Sequence, residues 1–179
     1  MQYAIELFFD EKTEKEIKTL AEKVAENGIS TQYLDWKTSP HVALACFNDV
    51  DEERCKELLN EFASEQNAID VTLASVGMFV DTKVVFLSPV MTSKMYDIQR
   101  KLHEKMSEFD TKGFEWYCPD NWVTHCTVAM LSEATNDEFY EACNLILREF
   151  TKTYGKFNRI GLVRLTHPVQ EMYTLQLKD

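Results

Sequence analysis

Two histidines lie near the starts of two similar runs of apolar and β-branched residues. The runs are PHVALACF at 40–47 and WVTHCTVAML at 122–131. Because successive side chains of a strand alternate between its faces, His125 shares a face with Thr127, and His41 shares a face with Ala43. The other apolar residues of each run point to the opposite face. Each run therefore predicts a buried strand that presents one imidazole from a packable surface.

Two imidazoles that face one groove can divide acid and base work near neutral pH, since an unperturbed histidine titrates near ~6.5. The neutral ring removes a proton from an attacking hydroxyl or water, and the protonated ring donates to the departing oxygen. Phosphodiester chemistry fits this scheme because both of these atoms are oxygens. The Thr127 hydroxyl is a candidate donor to a non-bridging phosphate oxygen. The scheme needs no metal, and it leaves open which of His41 and His125 is the acid.

The elements around the two runs repeat along the chain. Each half reads as strand, helix, histidine strand, helix and long strand, and each histidine precedes the next helix start, at Asp51 or Thr135, by ten residues. This repeat predicts an α+β fold of two pseudo-symmetric α/β lobes, each an antiparallel-rich sheet with two helices, flanking a central groove. We expect residues 1–179 to form a single bilobed domain, because no linker or low-complexity segment divides them.

Turn and capping signals set the expected boundaries of these elements. The predicted elements are a strand at 2–9, a helix from a capping box at 13–16 to Asn27, a helix from Asp51, a hairpin of 69–79 and 83–88, a helix capped by Thr92 or Ser93, a helix from a capping box at 135–138, and strands at 156–165 and 170–177.

The second run carries a family resemblance. His125-Cys-Thr-Val128 resembles the H-x-[S/T]-hydrophobic motif of the two-histidine (2H) phosphoesterase superfamily, which includes 2′-5′ RNA ligase-like proteins and cyclic nucleotide phosphodiesterases. His41-Val-Ala-Leu44 resembles the first copy, 84 positions earlier, which is similar to the family's separation. Over essentially the whole chain, the resemblance implies the family fold and metal-independent action on 2′,3′-cyclic phosphates or 2′-5′ linkages, without a cofactor. It implies that both histidines are catalytic.

The first copy departs from the family pattern, because Ala43 stands where the family has Ser or Thr. A hydrogen bond to a charged group contributes ~1.5–3 kcal/mol, so its loss slows turnover by roughly ten- to a hundredfold. The basic residue that often follows a motif is also missing. Arg164 is our candidate for the phosphate-binding charge, among Lys37, Lys83, Lys156 and Arg159. The alternative function is a nucleotide- or phosphate-binding module that is catalytically weak or inactive.

Aromatic residues cluster just before the two histidines. Stacking on a base is worth ~1–3 kcal/mol, which suits a nucleotide substrate. Tyr33 and Tyr117 are the preferred pocket residues because each ring has a polar tip, and Trp122 is a further candidate. The two other histidines, His103 and His167, are expected at the surface.

The composition limits the classes of partner. A formal net charge of −11 disfavours a long nucleic-acid duplex, which requires a basic footprint, but allows a small nucleotide or an RNA terminus with a cyclic phosphate. An interaction protein with a basic partner is a third, weaker hypothesis. No apolar run approaches the ~18 residues of a membrane span. Five cysteines without a CxxC pair favour reduced thiols in a cytoplasmic protein, which we expect to be a monomer. Zinc is not expected, since His125 and Cys126 face opposite sides of one strand.

Overall fold

A computed structural model describes residues 2–179 of the chain. In chain order, the elements of this range are β1 (Tyr3–Phe9), α1 (Glu11–Glu26), α2 (Gln32–Asp35), β2 (His41–Phe47), α3 (Glu52–Ala63), β3 (Ile69–Phe79), β4 (Val84–Pro89), α4 (Ser93–Lys105), a 3₁₀ turn (Glu115–Tyr117), β5 (Cys126–Met130), α5 (Asn136–Glu149), β6 (Thr153–Arg164) and β7 (Gln170–Gln176). None of the helices within 2–179 is long and apolar enough to cross a membrane.

The seven strands form one antiparallel sheet, in which β6 belongs to both halves. The strand order is β2-β1-β6-β3-β4-β5, and β7 also pairs with β6. The first residues of β6 pair with β3, and its later residues pair with β7, while β1 lies along its other side. The predicted α+β fold with two antiparallel halves is confirmed. The difference is that the halves, β2-β1-β6-β7 and β6-β3-β4-β5, share one long strand instead of forming separate sheets.

The internal repeat extends to the irregularities of the sheet. In the first half, Leu44 is an extra residue between two cross-strand pairs, and in the second half Val128 is the extra residue. Each extra residue comes three positions after a histidine. A bulge of this kind re-aims the strand next to it. The same distortion therefore positions both histidine strands.

The long helices pair across the repeat. Helix α1 packs against β5 and α5, and helix α4 packs against β2 and α3. The sequence suggested that each lobe keeps its own two helices. Instead, a helix of each half covers the histidine strand of the other half. The histidine strands are therefore held by one common apolar core, to which both halves contribute.

Three of the four predicted helix starts are confirmed. Asp51 and Thr92 accept hydrogen bonds from the first turns of α3 and α4, and Thr135 forms a capping box with Glu138 at α5. The predicted capping box at 13–16 is wrong. Asp10 is the N-cap of α1, because its carboxylate accepts the Thr13 backbone N–H at 3.0 Å and the Thr13 hydroxyl at 2.9 Å.

Candidate active site

The two histidine strands lie against each other, although they are at opposite ends of the strand order. The end strands β2 and β5 are in contact. The backbone of His41 forms a hydrogen bond to the Cys126 thiol. This bond opposes the effect of burial, which raises the pKa of the thiol to about 12. Burial lowers the pKa of His125, and the neighbouring His41 lowers it further. The fold therefore brings His41 and His125 into one site.

Both imidazoles are held by the same backbone contact. Nδ1 of His41 lies 2.7 Å from the carbonyl oxygen of Ser39, and Nδ1 of His125 lies 2.7 Å from that of Val123. Because a carbonyl only accepts, Nδ1 carries the proton in each ring, and the free position is Nε2. Burial lowers the pKa of both rings. In its neutral form, each ring therefore has an Nε2 lone pair that can accept a proton, and in its protonated form each ring can donate a proton from Nε2.

The second histidine is enclosed by aromatic rings. The centroid of His125 lies 4.9 Å from that of Phe79, 5.5 Å from that of Phe86 and 5.9 Å from that of Tyr117. Thr127 pairs directly with Phe86 across β4 and β5, so both side chains lie on the face of His125. His125 and Thr127 are half-buried. An apolar wall therefore fixes the His125 ring beside a hydroxyl.

The first histidine has a different neighbour. Ala43 pairs with Glu6 across β1 and β2, where the second half has Thr127 and Phe86. Oε1 of Glu6 lies 3.3 Å from Nε2 of His41, and 21% of the His41 side chain is exposed to solvent. The first half thus lacks the hydroxyl, as the sequence indicates, but it places a carboxyl group next to the ring.

Glu6 is a buried carboxyl group with an unsatisfied oxygen. Only 2% of the residue is exposed, and its second oxygen, Oε2, has no hydrogen-bond partner within residues 2–179. Burial raises the pKa of Glu6 well above its usual range, and the negative charge of Glu171 adds to the shift. Both effects favour the neutral form of the carboxyl group, in which it is a hydrogen-bond donor.

Two of the aromatic candidates lie at the site, but they are not equivalent. Tyr117 is half-buried against His125, and burial raises the pKa of its hydroxyl. Trp122 donates its indole N–H to the carbonyl oxygen of Ala43 at 3.0 Å, so it ties the approach to β5 onto β2. His103, expected at the surface, is half-buried, and its Nε2 lies 2.9 Å from the carbonyl oxygen of Tyr117. Tyr117 is the ring that remains available to a ligand.

Two other candidates are not available to a ligand, and here the sequence-based expectation is corrected. Tyr33 is only 6% exposed on α2, so neither face of its ring is free to stack on a base. Arg164 pairs with Tyr3 across β1 and β6, on the face opposite Ala4 and Phe8. Its guanidinium group is bound to Glu52. The Tyr33 side chain is buried by packing, and the Arg164 side chain forms an ion pair with Glu52.

Two of the other basic candidates are also engaged in contacts with the protein. Arg159 pairs with Phe8 and stacks its guanidinium group 5.4 Å from that ring, but it donates to Glu14 at 2.7 Å. Lys83 donates to the carbonyl oxygen of Ala134. Within 2–179, no group of three or more His, Cys, Asp or Glu side chains is arranged to hold a metal ion. The guanidinium group of Arg159 and the ammonium group of Lys83 are therefore already bound within the protein.

Comparison with known proteins places this chain in a family. The sequence model of the 2′-5′ RNA ligase superfamily matches residues 9–167. The chain belongs to the 2′-5′ RNA ligase superfamily. Solved structures with the same fold include Escherichia coli LigT complexed with NADP⁺, which is 14% identical over 99% of this chain and 98% of LigT, with a TM-score of 0.59. TT0787 of Thermus thermophilus is 16% identical over 99% and 98% of the two chains, with a TM-score of 0.62. No curated protein matches the sequence.

Membership of the 2′-5′ RNA ligase superfamily confirms the resemblance that the two motifs suggested. The range matched by the superfamily model includes both histidines and Thr127, but it begins after Glu6. Sequence reasoning missed Glu6, although a signal was present: it is the single charged residue in the otherwise apolar strand Tyr3–Phe9. The aromatic wall of Phe79 and Phe86 was also missed, because it comes from strands distant in sequence from His125.

Proposed function

We infer that this protein is a metal-independent phosphodiesterase that acts on 2′,3′-cyclic phosphate nucleotides or on RNA ends that carry a cyclic phosphate. One observation carries the proposal: two imidazoles, one at the start of β2 and one just before β5, are each anchored through Nδ1 at 2.7 Å, which leaves Nε2 as the nitrogen that can exchange a proton. Superfamily membership supports phosphoesterase chemistry in general. The choice of a cyclic phosphate is our proposal.

The proposed reaction needs one proton acceptor and one proton donor at the phosphate. One histidine takes a proton from water as the water oxygen forms a bond to phosphorus. The other gives a proton to the ribose oxygen as its bond to phosphorus breaks. His41 and His125 fill these roles, and the Thr127 hydroxyl donates to a non-bridging oxygen. The products are a phosphate monoester and a free ribose hydroxyl, and proton exchange with solvent restores both rings.

The nucleotide part of the proposed substrate is supported by solved structures with the same fold. Structures of Escherichia coli LigT contain phosphate, ATP or 3′-AMP. We propose that this chain also takes a small nucleotide or an RNA terminus at the histidines, with Tyr117 against the base or the sugar. Ala43 and Trp122 then line the site without contributing a side-chain donor, since the Trp122 indole N–H is already bonded to the Ala43 carbonyl.

The test is hydrolysis of 2′,3′-cyclic nucleotides, and of a short RNA that ends in a 2′,3′-cyclic phosphate, with a chelator present. We expect activity in the wild type, and loss of at least about a hundredfold in His41→Ala, in His125→Ala and in the double variant. His167→Ala is the matched control, because this histidine is exposed in the turn before β7. Full activity in the double variant, or complete loss of wild-type activity on chelation, would contradict the proposal.

A second candidate function is binding of a nucleotide without turnover. The absence of a hydroxyl at Ala43 and the carboxyl group of Glu6 beside Nε2 of His41 favour it. Calorimetry separates the two: binding of a nucleotide, with no product after long incubation, would support the binding module and contradict the enzyme.

A further inference from the structure

The position of Glu6 is not explained by folding. Every other residue of β1 (Tyr3–Phe9) is apolar or aromatic and buried, and Glu6 itself is 2% exposed. Burying a carboxyl group costs free energy unless its hydrogen bonds are satisfied. Oε2 has no such partner within residues 2–179. An apolar side chain would fit this strand at a lower cost in free energy. Folding therefore does not account for a carboxyl group at this position.

The contact between Glu6 and His41 requires a proton between them. Nδ1 of His41 donates its proton to the Ser39 carbonyl, so Nε2 of the neutral ring is an acceptor. An ionised Glu6 would also be an acceptor, and two acceptors 3.3 Å apart in a buried site repel each other. One proton on either Glu6 or His41 turns this contact into a hydrogen bond.

The second half of the molecule has no acidic side chain in the position equivalent to Glu6. Phe86 occupies the position of Glu6, since it pairs with Thr127 as Glu6 pairs with Ala43. The ring contacts of His125 are to Phe79, Phe86 and Tyr117. The side chain that breaks the symmetry between the two histidines is therefore Glu6.

Building on the proposed function, we propose that Glu6 and His41 form one proton-sharing pair, that this pair protonates the leaving ribose oxygen, and that His125 is the base. In the reaction, the water oxygen bonds to phosphorus and its proton moves to Nε2 of His125. The bond from phosphorus to the ribose oxygen breaks, and that oxygen takes the proton from Nε2 of His41. Glu6 resupplies the ring and is left ionised. His125 then releases its proton, and the pair takes one up, so no net proton is consumed at the protein.

The distance in the resting site is compatible with this exchange. A tight hydrogen bond between charged groups spans about 2.7–2.9 Å, whereas Oε1 of Glu6 and Nε2 of His41 are 3.3 Å apart. Catalytic hydrogen bonds of unliganded sites are often long and shorten only when substrate binds. The loose contact leaves the Nε2 proton able to form a second hydrogen bond, to a substrate oxygen that lies beside Oε1 of Glu6.

The groups around the pair keep its proton in place. Burial raises the pKa of Glu6, and the negative charge of Glu171 on β7 adds to this rise. Burial lowers the pKa of His41, and the Ser39 carbonyl and Glu171 both oppose this fall. The other titratable groups affected by the charge of Glu6 or by the backbone of His41 are Tyr33, Cys46, Tyr117 and Cys126. None of these groups is cationic, so ionisation of Glu6 is not favoured unless His41 takes the proton.

The first arm of the test measures the pair without any substrate. Nitrogen NMR of the histidine rings reports whether Nε2 carries or shares a proton. At pH 7, we expect Nε2 of His41 in the wild type to be shifted toward the protonated value, and Glu6→Leu to abolish that shift. Glu22→Gln is the control, because it removes an exposed carboxylate of α1 that is not among the charges acting on Glu6 or His41, and it should keep the shift. A His41 signal that is identical in the wild type and Glu6→Leu overturns the pair.

The second arm measures the pH dependence of hydrolysis. In Glu6→Gln and Glu6→Leu, the acid is His41 alone, so the alkaline limb of kcat/KM moves at least one pH unit lower, and kcat at pH 7.5 falls about 10–100-fold with little change in KM. A merely structural role would leave the limb in place, and an unmoved limb overturns the assignment of the acid. An inactive wild type would contradict the proposed function instead, and the nitrogen signal of the first arm would then decide the pair by itself.

Discussion

At the scale of single residues, the same backbone contact holds both histidines, while the side chains across the sheet differ. Thr127 lies beside an apolar ring in one half, and Ala43 lies beside Glu6 in the other. Hydroxyl groups and neutral carboxyl groups are both donors to a phosphate oxygen, but only the carboxyl group can also give up its proton near neutral pH. The two motifs therefore have different chemical capacities despite their equivalent positions in the repeat.

Ala43→Thr restores the missing hydroxyl of the first motif. We expect turnover of a cyclic nucleotide to rise by up to about tenfold, because an added hydrogen bond to a charged oxygen is worth ~1.5 kcal/mol or more. Steady-state kinetics give kcat, and thermal unfolding checks that the buried site accepts the larger side chain.

Thr127→Val removes the hydroxyl of the second motif. It should lower kcat by up to about tenfold, because one hydrogen bond to a charged oxygen is lost. If Ala43→Thr lowers kcat while the melting temperature is unchanged, Ala43 does not face the phosphate.

At the scale of elements, glycines on the central strands set the space for the rings beside the histidines. A Cβ on Gly77 of β3 would lie 2.4 Å from the Phe86 ring, so the ring could not stay where it is. Phe86 in turn contacts His125. The glycine thus fixes the position of the imidazole through one intervening ring.

Gly77→Ala should therefore reduce both stability and activity. Forcing extra volume into a packed region costs about 1–3 kcal/mol, and displacement of His125 should lower kcat by about tenfold or more. Chemical denaturation and kinetics measure the two effects. Val80→Ala, at an exposed position just beyond β3, is the control. Unchanged kcat in a folded Gly77→Ala protein would show that Phe86 does not position the ring.

The elements also show how far the sequence determines the site. Local signals were sufficient for the histidine strands, the hairpin of β3 and β4, and the helix starts at Asp51, Thr92 and Thr135. The error at α1 arose because two polar residues compete for the cap, and only the position of the end of β1 favours Asp10 over Thr13. Contacts between halves were beyond prediction, since spacing alone does not say which helix covers which strand.

The same limit applies to the site residues. The sequence predicted His41, His125 and the missing hydroxyl at Ala43. It could not give the partners of Tyr33 or Arg164, because burial and an ion pair with Glu52 arise from elements far apart in the chain. It also did not reveal that Glu6 faces His41, which depends on the register between β1 and β2.

At the scale of the whole molecule, we expect the net charge to affect the approach of the proposed anionic substrate. The net charge is −11, and the side chains of Arg159 and Lys83 are engaged in contacts with the protein. The predictions of a single bilobed domain, a monomer and a cytoplasmic location stay predictions.

Added salt should therefore not weaken the use of an anionic substrate. Because salt screens the repulsion between substrate and protein, we expect kcat/KM for a cyclic nucleotide to rise modestly from about 20 to 200 mM salt. Kinetics at constant pH test this. A fall of several orders of magnitude, as counterion release produces for binders of duplex nucleic acid, would instead require a basic surface at the site.

Stability should depend on pH through Glu6. The pKa of Glu6 is raised in the folded state, so its contribution is fully present below the pKa of the unfolded chain, about 4.3, and is lost as pH rises through the folded value. The free energy of unfolding of the wild type relative to Glu6→Leu should therefore fall by up to about 1.4 kcal/mol per pH unit over this window. Urea denaturation between about pH 4 and pH 8 measures it, with Glu22→Leu, at an exposed position of α1, as control. A difference that is constant over this range would mean that Glu6 is ionised in the folded protein.

The most direct measurement of the central claim is a titration of the protein with inorganic phosphate, followed by nitrogen NMR of the histidine rings. Two imidazoles that share one anion should both shift at Nε2, with a single common dissociation constant, and His41→Ala should weaken the response of His125. Shifts of only one ring, or of the two rings with unrelated dissociation constants, would contradict a common site for His41 and His125.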